Sequence, residues 1–530
     1  MKRFVSLILA LMLAVGIVCA ASAEEKQYDR VTITYTCPQV VAGFDYNAPN
    51  GDGYSRWILD KFNIDFQGTN VSWNDWNSQL ITWINAKDMT DVAIYNFGTG
   101  TATEAAKIVS KGLLYKLPDD WKERWPGVAD VYSKTSLGPY LEELYGGTYF
   151  IPRARFYYNL PGDPLANHWC LWMRTDWLQA VGAEVKHSYT IPEVLEIAEK
   201  IKEQDPGQVG FDLAPLCMDT GNAASFFLRA NSTYWDTFYK DADGKYQWGA
   251  AAPQTLEGLK YWFQAYNKGE GVLDPEYYTL DHEKDMEKFQ TLGTAGISYL
   301  GGQTADVENY RFTFKERTGH EYEDFHMANL LGADGYYHQQ DLINFWGAVC
   351  FKPDVDPAVF ERWMDLMEWT CSEDGYPATE MGLKGEDWDR DENGEIISLR
   401  DPADPIPLTG GIGEAKYPSL GHVLGSVILW DDLAMDNPNI RKDLREESRL
   451  LYKLRTDEST PETFVKVDWN LYMNDSDALR AVNGIQYADE FSNMVTTAQS
   501  EEELVELYNN WIADKQAIVE PAIKSLNGEE

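Results

Sequence analysis

Four short stretches carry the residue types best suited to chemistry in this 530-residue sequence, and each follows an apolar run. They are Phe44, Asp45, Tyr46 and Asn47; Asn96, Phe97 and Thr99; Asp219 and Asn222; and Gln303 with Asp306. They mix aromatic rings with short polar side chains, or supply the polar groups alone. Flat rings can stack on the C–H faces of a ligand, while amides and carboxylates bond its hydroxyl rim. The stretch "LWMRTDWLQAVG", Leu171 to Gly182, adds Trp172 and Arg174, and Trp346 joins them. The candidate ligand-binding set is therefore Tyr46, Asn47, Asn96, Phe97, Trp172, Arg174, Asp219, Asn222, Gln303 and Trp346. Its chemistry is recognition of a polar, ring-shaped molecule. Each loop taken singly also reads as ordinary turn chemistry, and Arg174 also reads as the partner of a local carboxylate.

Other chemistries find less support. There is no G-x-S-x-G, no H-E-x-x-H and no phosphate-binding loop. The seven histidines are scattered along the chain. With 85 acidic residues, adjacent pairs such as Glu142 and Glu143 are inevitable, so paired carboxylates carry no glycosidase signal. "DRDENGEI" resembles the first half of a calcium loop, but its twelfth position is Arg400, where a bidentate glutamate is needed. It reads instead as a hairpin turn. Five cysteines follow Cys19 without metal-ligand spacing and read as buried thiols, with one disulfide left open. No catalytic residue, cofactor or metal is expected.

These loops must be held by larger elements. "YDRVTITYTC" alternates as a strand, "YSRWILDKFNIDF" reads as a helix running into a strand, "WNSQLITWI" as a helix and "DVAIYNF" as a strand. Strands alternating with helices imply an α/β lobe whose ligands sit beyond the carboxyl ends of its strands. Helix starts are marked at Thr190 with Glu193, Asp356 with Pro357, and Ser500 with Glu503. "DADGKYQW" reads as another hairpin. There is no repeat or low-complexity linker, so the chain is expected to pass between domains on crossing strands.

The first residues suggest a compartment. Lys2 and Arg3, an apolar run from Phe4 to Ala20, and Ala21-Ser22-Ala23 fit an export signal cleaved after Ala23. Lipidation at Cys19 fits less well, because Val18 stands where a small residue is expected. A secreted, cell-surface or periplasmic location follows. The formal net charge of −40 argues against nucleic acid and anionic headgroups as partners. The 19 tryptophans and 31 tyrosines exceed what a core needs and favour a surface that stacks on rings.

Several segments, in order, resemble one family. "LWMRTDWLQAVGAEVKHSYTIPEVLEIAEKIKEQDP" is similar to the signature of family-1 extracellular solute-binding proteins of carbohydrate ABC transporters, the LplA-like group. "WINAKDMTDVAIYNF", "GGTYFIP", "GKYQWGAAAPQTLEGLKYWFQAYNKGEGVLDPEY", "KFQTLGTAGISY" and "MGLKGEDWDRDENGEI" resemble other parts of the same pattern, in the expected order along the chain. The resemblance implies an α/β, two-lobed, periplasmic-binding-protein-like (type II) fold, with a hinge and an interlobe cleft. It implies capture of a carbohydrate, an oligosaccharide in view of the chain length, and delivery to the membrane permease of an ABC importer by a monomer. The expected division is a signal peptide at 1–23, one lobe from 24–153 and 302–372, and another from 154–301 and 373–530. It also implies that Asp176 caps a helix starting at Trp177, with Trp177 in the core and Trp172 and Arg174 in the cleft. Some relatives carry a calcium loop after this helix. Here "DPGQVGFDLAPL" lacks its middle oxygen ligands, so no metal is expected there. A secreted carbohydrate-active hydrolase or lyase, or a binding protein for peptide or another solute, is the alternative reading.

Overall fold

The computed structural model describes residues 27–529, except 74, 98–101, 155–168, 341–344, 402–405, 407, 410–414, 422, 430–434, 436, 466–467, 469–470 and 472–475. The expected signal segment, Cys19 and Thr99 lie outside the described residues. The strands are β1 (Val31–Thr36), β2 (Ile64–Thr69), β3 (Val92–Tyr95), β4 (Ile151–Ala154), β5 (Trp169–Arg174), β6 (Ser188–Thr190), β7 (Ala214–Cys217), β8 (Phe238–Lys240), β9 (Tyr246–Trp248), β10 (Ala295–Gly301), β11 (Phe325–Leu331), β12 (Gln339–Gln340), β13 (Phe345–Phe351), β14 (Trp388–Arg390), β15 (Ile396–Ser398) and β16 (Phe464–Val465). Two five-stranded sheets dominate. The first has the order β2-β1-β3-β13-β4 and the second β6-β11-β5-β10-β7.

In the first sheet β1 pairs parallel with both β2 and β3, and β13 runs antiparallel between β3 and β4. The parallel strands are joined by amphipathic helices at Gly53–Phe62 and Trp76–Ala86, since parallel neighbours need a crossover. Asp52 caps the first by accepting from the Ser55 N–H, and Tyr54, Ile58, Leu59 and Phe62 form its buried stripe. The core on one side of this sheet holds Ile33, Tyr35, Phe66 and Trp363, with Val423, Leu424 and Val427 from far along the chain. The other side holds Tyr95, Phe97, Phe150 and Cys350.

In the second sheet β7 and β10 are parallel, β11 and β6 are parallel, and β5 is antiparallel to both β10 and β11. Helix Ile191–Gln204 covers it. Thr190 and Glu193 close the expected capping box, and Val194, Ala198 and Ile201 face inward. Val194 and Ile201 each contribute about 1.5–3 kcal/mol when fully buried. The terminal helix Glu501–Leu526 is capped at Ser500 and packs Leu504, Tyr508 and Trp511 into this core. The fold is mixed α/β and two-lobed.

Two segments sit differently from the expected division. Strand β11 and the helix Thr304–Thr318 belong with the second sheet, although 302–331 was expected in the first lobe. Residues 373–428 supply the first core through Ala378, Met381, Trp388 and Val427, although they were expected in the second. A composition shift marks neither crossing, because both cores are built from the same apolar residue types.

The hairpins read from sequence are present as β8–β9 and β14–β15. In the latter turn Asp391 accepts backbone N–H groups from Asn393 and Glu395. All five described cysteines are free thiols, four of them buried. Asp205 spends one carboxylate oxygen on the Val209 N–H and the other on the Gly210 N–H, each at 2.8 Å.

Candidate functional site

The pairing directions put the carboxyl ends of β1, β2, β3 and β4 at one edge of the first sheet, together with the start of β13. Three indoles gather there. Trp346, second in β13, lies 5.0 Å from Trp76 and 5.6 Å from Trp73, ring centre to ring centre. Trp73 is 60% exposed, an unusual position for so large an apolar surface in a solvated loop.

The wall is built rather than incidental. The Trp76 indole N–H donates to the Ile94 carbonyl at 2.8 Å, fixing the ring under the end of β3. The turn carrying Trp73 is tied by Ser72 donating to Asp75 and by the Asp75 N–H returning to Ser72. The Asn70 side chain donates to the carbonyls of Pro38 and Val40, clamping this loop to the one after β1. Buried Arg153, in β4, places its guanidinium 5.0 Å from the Trp346 ring and donates to Gln39 at 3.0 Å. A cation over an indole face both attracts and orients the ring. The edge thus offers an apolar wall with the Gln39 amide beside it, braced from behind by the buried Arg153 guanidinium.

A β-bulge aims Trp346. Register shifts between Phe345 and Ala348, where Gly347 adopts φ +65°. A Cβ at Gly347 would lie 2.5 Å from Ile94 Cγ2. Gly347→Ala is therefore expected to cost about 1–2 kcal/mol from the left-handed backbone alone, read as a lower thermal midpoint, and to weaken ligand-induced tryptophan fluorescence changes as Trp346 is displaced.

The matching edge of the second sheet holds the carboxyl ends of β7, β10, β11 and β6 and the start of β5. Trp169, half-buried, pairs with Gly301 across the ladder. It stacks on Tyr299 at 6.3 Å and meets the exposed His282 ring edge-on at 5.8 Å. Asp219 and Gln303 follow β7 and β10 at this edge, each starting a helix, and Asp219 accepts from the Asn222 N–H at 2.7 Å.

The ten residues expected from sequence divide sharply. Trp346 is in the indole wall. Half-buried Asn96 leaves β3 at the same edge, while Phe97 is buried between Tyr95 and Phe150. Asp219 and Gln303 stand at the second edge. Tyr46 is buried against Phe44 and Phe66. Asn47 accepts from the Phe66 N–H and donates to the Phe66 carbonyl, substituting for a missing strand beside β2. Asn222 is buried and donates to Asp285.

Trp172 and Arg174 are fully enclosed. The Trp172 indole donates to the Gly301 carbonyl at 3.0 Å. Because β5 runs against its neighbours, its carboxyl end and Arg174 lie at the edge of the sheet opposite Trp169. Its guanidinium grips Asp176 with two bonds, at 2.9 and 2.6 Å, and covers the Trp177 ring. The helix begins at Thr175, two residues earlier than expected, and Asp176 serves Arg174 from its first turn rather than capping it. Trp177 is core.

Asp285 explains why Asn222 is committed. One oxygen of its carboxyl accepts from the Asn222 side chain and the Asp219 N–H, and the other is buried with no hydrogen-bond partner. Burial pushes its pKa from the ordinary 3.8 up to about 7. Between those values the folded chain keeps a proton that the unfolded chain has lost. Stability therefore falls as pH rises from about 4 to about 7. Denaturant midpoints should drop between about pH 4 and about pH 7, and Asp285→Asn should remove most of that drop.

Trp73, Trp76, Trp169, Gln39 and Arg153 were not singled out from sequence. The signal for the first pair was legible in "VSWNDWNSQL", where a second tryptophan stands three residues ahead of the helix's buried stripe.

The family description "Bacterial extracellular solute-binding protein" matches residues 47–360. Among solved structures, the chain is similar to the S. pneumoniae ABC-transporter substrate binding protein FusA in complex with kestose, at 16% identity and TM-score 0.61, covering 94% of this chain and 100% of that one. It is also similar to an HMO binding ABC-transporter associated solute binding protein from Bifidobacterium longum infantis, at 15% identity and TM-score 0.58, covering 94% and 96%. A third is the N-glycan transport solute binding protein NgtS from Streptococcus pneumoniae in complex with Man5GlcNAc, at 14% identity and TM-score 0.54, covering 94% and 98%. No curated protein matches.

Proposed function

Because this chain belongs to the bacterial extracellular solute-binding proteins, we propose that it captures a neutral oligosaccharide and delivers it, unaltered, to the permease of an ABC importer. The observation that carries this reading is the indole wall of Trp73, Trp76 and Trp346 at the carboxyl edge of the first sheet. Sugar rings present C–H faces that stack on indoles, and hydroxyl rims that bond amides and guanidinium groups. Trp73 with Gln39 supplies that pairing on one side, with Arg153 orienting the wall from beneath, and Trp169 with Asp219 and Gln303 on the other.

In this reading the carboxyl edges are the two walls of a cleft. Among the described residues, the first lobe comprises those of 27–153 with 345–428, and the second those of 169–331 with 440–529. Closure about the connecting segments removes the sugar from water and strengthens its hydrogen bonds. The similar binding proteins for kestose, HMO and Man5GlcNAc support an oligosaccharide over a monosaccharide. The family supports an exported protein that acts outside the cytoplasmic membrane. No helix among the described residues is long and apolar enough to cross a membrane.

The test is a titration of intrinsic fluorescence and melting temperature against a panel of neutral oligosaccharides, with chromatography of the recovered ligand. Saturable binding, a raised melting temperature and intact ligand are expected. Shortened or unsaturated products would instead identify a hydrolase or lyase, and binding confined to peptides would overturn the sugar assignment.

A further inference from the structure

His187 and His326, far apart in sequence, meet with Glu447 under the helix Lys442–Asp457, where their rings are 4.8 Å apart. His326 is the second residue of β11, opposite Met173, so the cluster lies away from the carboxyl edge that carries Trp169. Nδ1 of His326 is 3.1 Å from Glu447 Oε1, and Nδ1 of His187 is 4.0 Å from the same oxygen.

The hydrogen bonds constrain what can occupy this point. Nε2 of His326 is 2.7 Å from the Lys186 carbonyl, which can only accept. Nε2 therefore carries hydrogen, and in the neutral ring Nδ1 turns a lone pair toward Oε1. At 3.1 Å that contact requires either the Nδ1–H of an imidazolium or a metal ion shared by the two atoms. The His187 Nδ1 atom is out of contact with solvent and has no hydrogen-bond partner, so it offers a third lone pair to the same point. The other carboxylate oxygen is held by Arg311, and Oε1 also accepts from the Met327 N–H. These bonds fix the carboxylate and the imidazole in place as outer partners do around bound metals.

We propose that His187, His326 and Glu447 bind a zinc-class divalent ion. Two imidazoles and one carboxylate suit Zn²⁺ and its neighbours rather than Ca²⁺ or Mg²⁺, which take oxygen ligands. The three ligand atoms lie within 4.8 Å of one another. They would bring strand β11, the entry to β6 and the helix Lys442–Asp457 onto one ion, and the partial exposure of His187 leaves a path for it. The site is separate from the sugar-binding edges, so its failure would not touch the functional reading.

Calorimetric titration of the whole chain with Zn²⁺, in excess Ca²⁺ to occupy the acidic surface, tests this. One tight equivalent is expected, with a raised melting temperature. His187→Gln, at a partly exposed position, should keep the circular dichroism spectrum and lower affinity by more than about 100-fold, the most that loss of an outer partner costs. His326→Gln should do the same. Absence of a tight equivalent, or unchanged affinity in folded His187→Gln, would overturn the site.

Discussion

Trp73→Ala is expected to weaken oligosaccharide binding by about 30-fold, or about 2 kcal/mol, with the fold intact. The side chain is 60% exposed, so little core packing is lost. What disappears is the outer leaf of the indole wall. A sugar stacked against Trp73 and Trp346 would meet water on that face instead, and stacked rings at a desolvated centre dominate binding energies. Trp346→Ala should cost at least as much, since it also frees the Arg153 guanidinium that lies 5.0 Å from its ring. Phe211, fully exposed before β7, is the control: its replacement by alanine should leave affinity unchanged. If Trp73→Ala binds the sugar as the parent does, the indole wall is not the binding surface. Loss in Trp169→Ala as well would place the ligand between both edges.

Asp176→Ala is expected to lower stability by about 3 kcal/mol while leaving the affinity of the folded protein unchanged. The Arg174 side chain is completely enclosed, and Asp176 provides its carboxylate with two bonds. Removing one member of a buried pair leaves the other uncompensated, which costs about 3–5 kcal/mol. Asp176 is 28% exposed, and water entering there holds the loss to the lower end. His320 stands 2.9 Å from the guanidinium and cannot replace the lost charge. Denaturant unfolding checks the first half of this expectation and sugar titration the second. A variant that folds normally but no longer binds would return Arg174 to the ligand site.

Much of the local architecture was legible in the residues. The Thr190 capping box, the Asp356 and Ser500 caps, and the hairpins at "DADGKYQW" and "DRDENGEII" appear where their turn and cap chemistry placed them. Those features depend on groups within a few positions of one another. The family pattern in "LWMRTDWLQAVG" was also legible, because a strand running directly into a helix leaves an ordered run of residue types. What that pattern could not convey was which end of β5 approaches the ligand.

The site residues show the same divide. Aromatic and short polar side chains after strands pointed to Trp346, Asn96, Asp219 and Gln303, all at the carboxyl edges. The identical signal at Tyr46 and Asn47 marks a brace for β2, and at Asn222 a partner for a buried carboxyl. By itself, the sequence determined most element types, the Thr190, Asp356 and Ser500 caps, and the family, because these follow from local periodicity and ordered residue patterns. Tertiary structure alone decided that Trp172 and Arg174 are interior, that Trp73 and Trp169 reach the edges, and that His187 meets His326. Those outcomes depend on strand order and direction, which are set by pairing between segments more than a hundred residues apart, and no short window of sequence contains that pairing.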